Sequence, residues 1–257
     1  MKKTNIVILL CLGLLTFMTQ AQSPGMMSPK KNQDKPATIL MDISHGQRFW
    51  NDPSKMEASN DQLPRVKAMT EELSKTGKSV NAKLAYTQGP IDDAQLKNAD
   101  VLFIHIPTLQ YAPGEVKAIR NYLEKGGSLF IVTEVDYWAT LQQTNVNDLL
   151  EPFGIQYKGT IPDSLIGGYT KAGVITPKPL KISYHEGRIV EGGTPFCFGV
   201  QSEKYPFGVY KELKGGGRII AMGEGMVSLY MTSWQGVNDY QCSEFMHDVF
   251  RWLLTKK

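Results

Sequence analysis

The chain has 257 residues, 42% of them hydrophobic, with 28 basic and 25 acidic side chains and a formal charge of +3. So small a net charge, with no concentrated basic run, excludes the electrostatic footprint of a nucleic-acid binder. Two of the lysines, Lys2 and Lys3, precede an apolar run from Ile6 to Met18 and then Thr19-Gln20-Ala21, the layout of a secretory signal peptide.

That run falls short of the roughly 20 residues a spanning helix needs. Cleavage after Ala21 leaves Gln22 as the mature N-terminus and a periplasmic or secreted protein. Cys11 lies inside the apolar run behind Leu9 and Leu10, not behind the small residues a lipoprotein signal requires. Residues 22–36 are rich in Pro, Ser, Lys and Met without periodicity and read as a flexible tether. Residues 37–257 then form a single domain, long enough to bury roughly 70% of its unfolded surface. No later segment is apolar enough to span a membrane.

The first strand is Thr38 to Ile43, ending in Ser44-His45-Gly46-Gln47. Asn60 or Asp61 can cap a helix whose inner face is Leu63, Val66, Met69 and Leu73, with Gly77 stopping it. Val80, Ala82, Leu84 and Tyr86 alternate as a second strand, and Asp92 to Asn98 make one or two helical turns. Val101 to Ile106 is the third strand. A helix opens at Pro113, buries Val116, Ile119, Tyr122 and Leu123, and ends at Gly126-Gly127. Leu129 to Thr133 is the fourth strand, and a short helix carries Val146, Leu149 and Leu150. This alternation predicts an α/β, mostly parallel sheet with helices on both faces.

The C-terminal half predicts β-hairpin additions. Gly159 to Pro179 reads as irregular. Leu180–Tyr184 with Arg188–Val190 is one candidate hairpin, and Phe207–Leu213 with Arg218–Met222 is another. Asp239 can cap a last helix with the stripe Cys242, Phe245, Met246, Val249 and Leu253. Cys197 and Cys242 either pair, as the oxidising compartment favours, or stay buried thiols.

Four segments together resemble a known family: I-L-M-D-I-S-H-G-Q (39–47), A-D-V-L-F-I-H-I-P (99–107), E-V-K-A-I-R-N-Y-L-E-K-G-G-S-L-F-I-V-T-E (115–134), and G-G-R-I-I-A-M-G-E-G-M (216–226) before a terminal helix ending F-R-W-L-L. The set is similar to the class I glutamine-amidotransferase-like superfamily. Its nearest likeness there is the GIFT-type branch of exported bacterial domains and the N-terminal domain of an intraflagellar-transport protein. The resemblance implies a flavodoxin-like sheet. It also implies a nucleophile elbow after the fourth strand, where this chain reads Thr133-Glu134-Val135-Asp136-Tyr137. With no cysteine there and no His-x-Glu partner motif, amidotransferase activity is not expected.

Three strand ends deliver polar groups to one edge of such a sheet, where ligands bind. Strand one brings Ser44, His45, Gln47 and Arg48; strand four brings Glu134 and Asp136; the last strand brings Glu224. Glu134 with Asp136 or Glu224 could serve as acid and base on a glycosidic bond, with His45 as a base near neutral pH. The competing reading makes Asp42 or Glu134 a helix cap and His45 a loop hydrogen-bond partner. Aromatics crowd the same edge. Trp50, Tyr137 and Trp138, alongside Gln47 and Arg48, are candidate ligand contacts that could stack on a saccharide, or else plug loops onto the core.

The four histidines lack metal-ligand spacing, and no cofactor motif is present. The expected function is an exported domain binding a ligand or partner, a saccharide or an envelope protein. Alternatives are a carbohydrate-active hydrolase and a structural adaptor in an envelope assembly.

Overall fold

The computed structural model describes residues 35–255. The expected leader, Cys11 and nearly all of the tether lie outside the described residues. From Pro36 onward the described chain is one compact unit.

The order of elements begins β1 (Ala37–Met41), α1 (Leu63–Ser79), β2 (Ala82–Tyr86), α2 (Asp93–Leu96), β3 (Val101–His105), α3 (Pro113–Glu124) and β4 (Ser128–Val132). Two short helices follow, α4 (Leu141–Thr144) and α5 (Val146–Leu150). Then come β5 (Gln156–Thr160), β6 (Gly168–Thr170), β7 (Lys181–Ile182), β8 (Arg188–Glu191), β9 (Thr194–Gly199), β10 (Ser202–Glu212) and β11 (Arg218–Met222). Helices α6 (Met226–Leu229) and α7 (Cys242–Leu254) close the chain.

Nine strands form one sheet in the order β2-β1-β3-β4-β11-β10-β9-β6-β7, and β5 pairs with β8 apart from it. The first five are parallel, which is the 2-1-3-4-5 order of a flavodoxin-like fold, with its switch point between β1 and β3. Alternation along each strand separates two cores. Ile39, Met41, Val101, Phe103, Phe130, Val132, Ile220 and Met222 face α1 and α7. Leu40, Leu102, Ile104, Leu129, Ile131, Ile219 and Ala221 face α2, α3 and α5. Period-2 strands with apolar residues on both faces are what a sheet covered on both sides requires.

The expected β10–β11 hairpin forms, with Gly208 opposite Met222 and Glu212 opposite Arg218. The other expected hairpin does not. β7 pairs with β6 and β8 with β5, because His185-Glu186-Gly187 carries the chain across from one sheet to the other. The stretch expected to be irregular contains β6. Gly77 does not stop α1, which runs on to Ser79 and turns at Asn81 in the left-handed region, φ 53°. Neither expected cap is made as foreseen: α1 and α7 begin after Gln62 and Gln241, with no side-chain cap. Asp239 instead pairs with Lys181. Cys197 and Cys242 are both buried free thiols; Cys242 donates to Ser183 Oγ at 3.8 Å.

Candidate functional site

The carboxyl ends of β1, β3, β4 and β11 carry two clusters of buried polar groups joined by a bridge. The first fills the switch point. Asp42 follows β1 directly and is fully buried. It accepts hydrogen bonds from Ser44 N (2.9 Å), Gln47 Nε2 (2.8 Å) and Tyr111 Oη (2.8 Å), and meets His45 Nδ1 at 2.9 Å. The His45 ring stacks on Tyr111 at 4.0 Å, and its Nε2 lies 3.2 Å from Glu115.

Glu115 occupies the first turn of α3 and also accepts from Ile91 N (2.7 Å) and Ala112 N (2.9 Å). Burial alone would lower the His45 pKa, but Asp42 and Glu115 outweigh it and hold the ring above its ordinary 6.5. An imidazolium clamped by two carboxylates, with both ring nitrogens engaged, is a lock on the loop after β1 and has no free lone pair for base chemistry.

The second cluster lies where β4 and β11 end. Glu134 is 5% exposed and Glu224 fully buried. Burial pushes Glu134 up to about 8, against the N–H groups of Gly225 and Val135 that favour its charged form. Gly225 N donates to Glu134 Oε2 at 2.9 Å. A Cβ at Gly225 would come within 2.4 Å of Ile106 Cδ1, so a larger residue there would have to push the Ile106 side chain aside. Glu224 is also raised, by burial and by the Glu134 charge. Its Oε1 accepts from Met226 N at 3.0 Å, while Oε2 is buried with no hydrogen-bond partner among the described residues. Asp136, mostly exposed, is held by the buried Arg188, whose Nε donates to Glu134 O at 2.6 Å.

Gln47 and His105 bridge the clusters. The Gln47 amide donates to Asp42 and accepts from His105 N at 2.7 Å. The His105 ring contacts Gly225 O at 3.1 Å and Arg48 O at 3.3 Å. Burial pushes its pKa down to about 4, so the ring is neutral and donates from one nitrogen only.

Outside this buried layer sits a rim of rings and guanidinium groups. Tyr137 is 81% exposed and meets Trp138 edge-on at 4.5 Å. Trp138 in turn meets Phe49 edge-on at 6.4 Å. Arg48 lies over Trp138 and over Phe49, and Arg65 of α1 lies over Phe49 and Trp234. Phe49 itself has φ 70°, a conformation costing a non-glycine residue about 1–3 kcal/mol.

Trp50, by contrast, is buried and packs edge-on against Phe103 and His105. A cleft of about 380 Å³ is lined by Ala68, Glu71, Glu72, Met231, Thr232 and Ser233. Among the described residues no cluster of His, Cys, Asp or Glu is arranged to hold a metal ion, and no helix is long and apolar enough to cross a membrane.

The sequence-predicted residues thus divide. His45, Gln47, Glu134 and Glu224 join one buried network; Asp136 is tied to Arg188; Arg48, Tyr137 and Trp138 form the rim; Trp50 turns inward. Sequence reasoning missed Glu115, Tyr111, Arg188 and Arg65, which lie roughly 20 to 70 positions from the strand ends they serve. Only Glu115, at the third position after Ala112 where a helix-start carboxylate caps its own N-terminus, carried a local signal.

Residues 54–167, a little under half of the chain, match the family model of the IFT52 GIFT domain. The mmIFT52 N-terminal domain superposes with a TM-score of 0.61 at 19% identity, over 86% of this chain and 99% of that one. Both findings support a GIFT-type domain. A ThuA-like protein from Bacteroides uniformis ATCC 8492 matches with a TM-score of 0.52 at 13% identity, over 90% and 97% of the two chains. The exo-β-1,4-mannosidase Op5Man5 from Opitutaceae bacterium strain TAV5 matches at 0.54 and 12%, over 87% of this chain but 37% of its own. At these identities the likenesses are of fold. No curated protein sequence matches the chain.

Proposed function

We propose that this is an exported GIFT-type domain of the class I glutamine-amidotransferase-like superfamily that binds a saccharide at the rim of Arg48, Phe49, Tyr137 and Trp138 without hydrolysing it. The observation that carries this reading is a contrast in exposure. The acid and base candidates are closed off, His45 and Glu134 at 5% and Glu224 at 0%, while Tyr137 beside them is 81% exposed. A group that passes a proton to a substrate must come within hydrogen-bond reach of it. Rings at a rim can offer apolar faces to the C–H side of a sugar, with amide and guanidinium donors reading its hydroxyls.

The superfamily placement rests on the four sequence segments and the 2-1-3-4-5 strand order. The elbow position holds Glu134-Val135-Asp136 and offers no thiolate to attack an amide.

A glycan array probed with the secreted protein tests the proposal. At least one glycan class should bind, Trp138→Ala should weaken it about tenfold or more, and no cleavage product should accumulate. Glu134→Gln should leave binding intact. Turnover that falls by about 10²–10⁴ in Glu134→Gln would turn the reading into a hydrolase. Silence across the array would leave the envelope adaptor. Intact-mass measurement of the same secreted sample should find Gln22 at the N-terminus.

A further inference from the structure

We infer that Arg48 and Arg65 form a two-arginine seat for an anion on this rim, so that the saccharide taken there is an acidic one, bearing carboxylate or sulfate groups. The inference rests on the saccharide reading above and narrows it.

The chain has six arginines. Four have an oxygen acceptor: Arg120 on Asp148 O, Arg188 on Asp136, Arg218 on Glu212, and Arg251 on Asp248. Among the described residues Arg48 and Arg65 have neither an ion pair nor a side-chain hydrogen bond, and Arg48 Nε is buried with no partner. Yet these two converge. Their guanidinium carbons lie 4.7 and 5.0 Å from the centroid of the same ring, Phe49. Burial and then the neighbouring Arg65 charge lower the Arg48 pKa, outweighing Tyr137 and Glu134, which act the other way.

Like charges gathered without a counter-charge are a cost the fold keeps, and an anion between them removes it. The carboxyls at hand do not. Asp136 is engaged by Arg188, and Glu134, held at about 8, is neutral at pH 7. Arg48 lies over Phe49 and Trp138 and Arg65 over Phe49 and Trp234, and ring contacts leave unused the N–H groups that grip carboxylate or sulfate in pairs. Phe49, which both arginines share, is the residue held in the left-handed region, so the chain spends backbone strain to place that ring.

The test is titration calorimetry of the full chain against four probes of matched length: an oligogalacturonate, a sulfated glycosaminoglycan fragment, a neutral cello-oligosaccharide and polyglutamate. One or both acidic saccharides should bind at least tenfold more tightly than the neutral one, with affinity falling as salt rises. The stronger of the two identifies carboxylate or sulfate as the group read. Arg65→Gln, on the surface of α1, should weaken that binding about tenfold with the fold unchanged by circular dichroism. Arg48→Gln should do the same, and Lys117→Gln, an equal loss of charge on the far helix α3, should not.

Neutral and acidic saccharides binding alike, or Arg65→Gln binding as wild type, would overturn the inference and leave the saccharide reading standing. Polyglutamate binding as tightly as the acidic saccharides would overturn it in favour of a general anion site. No binding to any saccharide would overturn both.

Discussion

Asp42 shows what a single side chain does here. The groups facing its carboxylate are donors: Ser44 N–H, Gln47 amide N–H, the Tyr111 and Thr87 hydroxyls and the His45 ring. The Tyr111 hydroxyl, raised by burial and by the Asp42 charge, stays protonated and keeps donating. An Asp42→Asn change puts an NH2 among donors and strips His45 of its main counter-charge. Removing one partner of a buried pair costs about 3–5 kcal/mol, and urea denaturation should show a loss of that order. That a polar turn follows strand one was legible in the sequence, but the strand stops at Met41, short of the expected Ile43, and Asp42, read there as a possible helix cap, instead meets the His45 ring. That His45 would be saturated was not legible, because Glu115 and Tyr111 arrive from α3 and the loop before it, about 70 residues on.

At the scale of elements, the apolar period fixes what is built and long-range pairing fixes what it touches. Helix α7 buries Cys242, Phe245, Met246, Val249 and Leu253, the stripe readable in the sequence, and also Phe250, which was not read there. Phe250 meets Phe103 and Phe130 edge-on, at 5.9 and 6.0 Å. Phe250→Ala should therefore cost about 3–5 kcal/mol by chemical denaturation with an unchanged m-value, while the exposed Lys117→Ala should stay within about 0.5 kcal/mol. The parallel half of the sheet was legible because each strand is a short apolar run closed by a helix. Of the antiparallel half only the β10–β11 hairpin was. β6, β7 and β8 are two to four residues long, too short to carry a period. Their partners are chosen by where Gly167, Gly192 and Gly193, all in the left-handed region, turn the chain.

For the whole molecule, the buried titratable groups set a pH profile. Glu134, raised to about 8, is protonated in the folded state from about pH 4.5 to 8 while the unfolded chain has lost that proton. Stability therefore falls as pH rises across that window. His45, raised above 6.5, adds stability that is complete below 6.5 and lost as pH climbs through its folded value. His105, lowered to about 4, acts oppositely: the unfolded chain takes up its proton first, so stability falls from pH 6.5 down to about 4.

His105 and Glu134 offset each other below pH 6.5. From 6.5 to 8 the Glu134 slope, about 1.4 kcal/mol per pH unit for one proton, removes about 2 kcal/mol, and Glu224, raised by burial and by the Glu134 charge, acts in the same direction. Denaturation across a pH series should show this alkaline decline, and Glu134→Gln should lessen it, leaving the shares of Glu224 and His45. A wild-type stability that rises from pH 6.5 to 8 would contradict the assignment.

The bridge built by Gln47 has a further consequence for the kind of molecule such a protein can hold. Flavodoxin-like sheets ordinarily leave the gap between their first and third strands open, and what enters it is small enough to be swallowed. Here one amide grips Asp42 with its nitrogen and the start of His105 with its oxygen, stitching the two strand ends together over a floor of Tyr111 and His45. With that throat sewn shut, recognition under the proposed reading passes to the rim outside it, where Tyr137 stands 81% exposed. A ligand there is held against a surface and not swallowed between the strands.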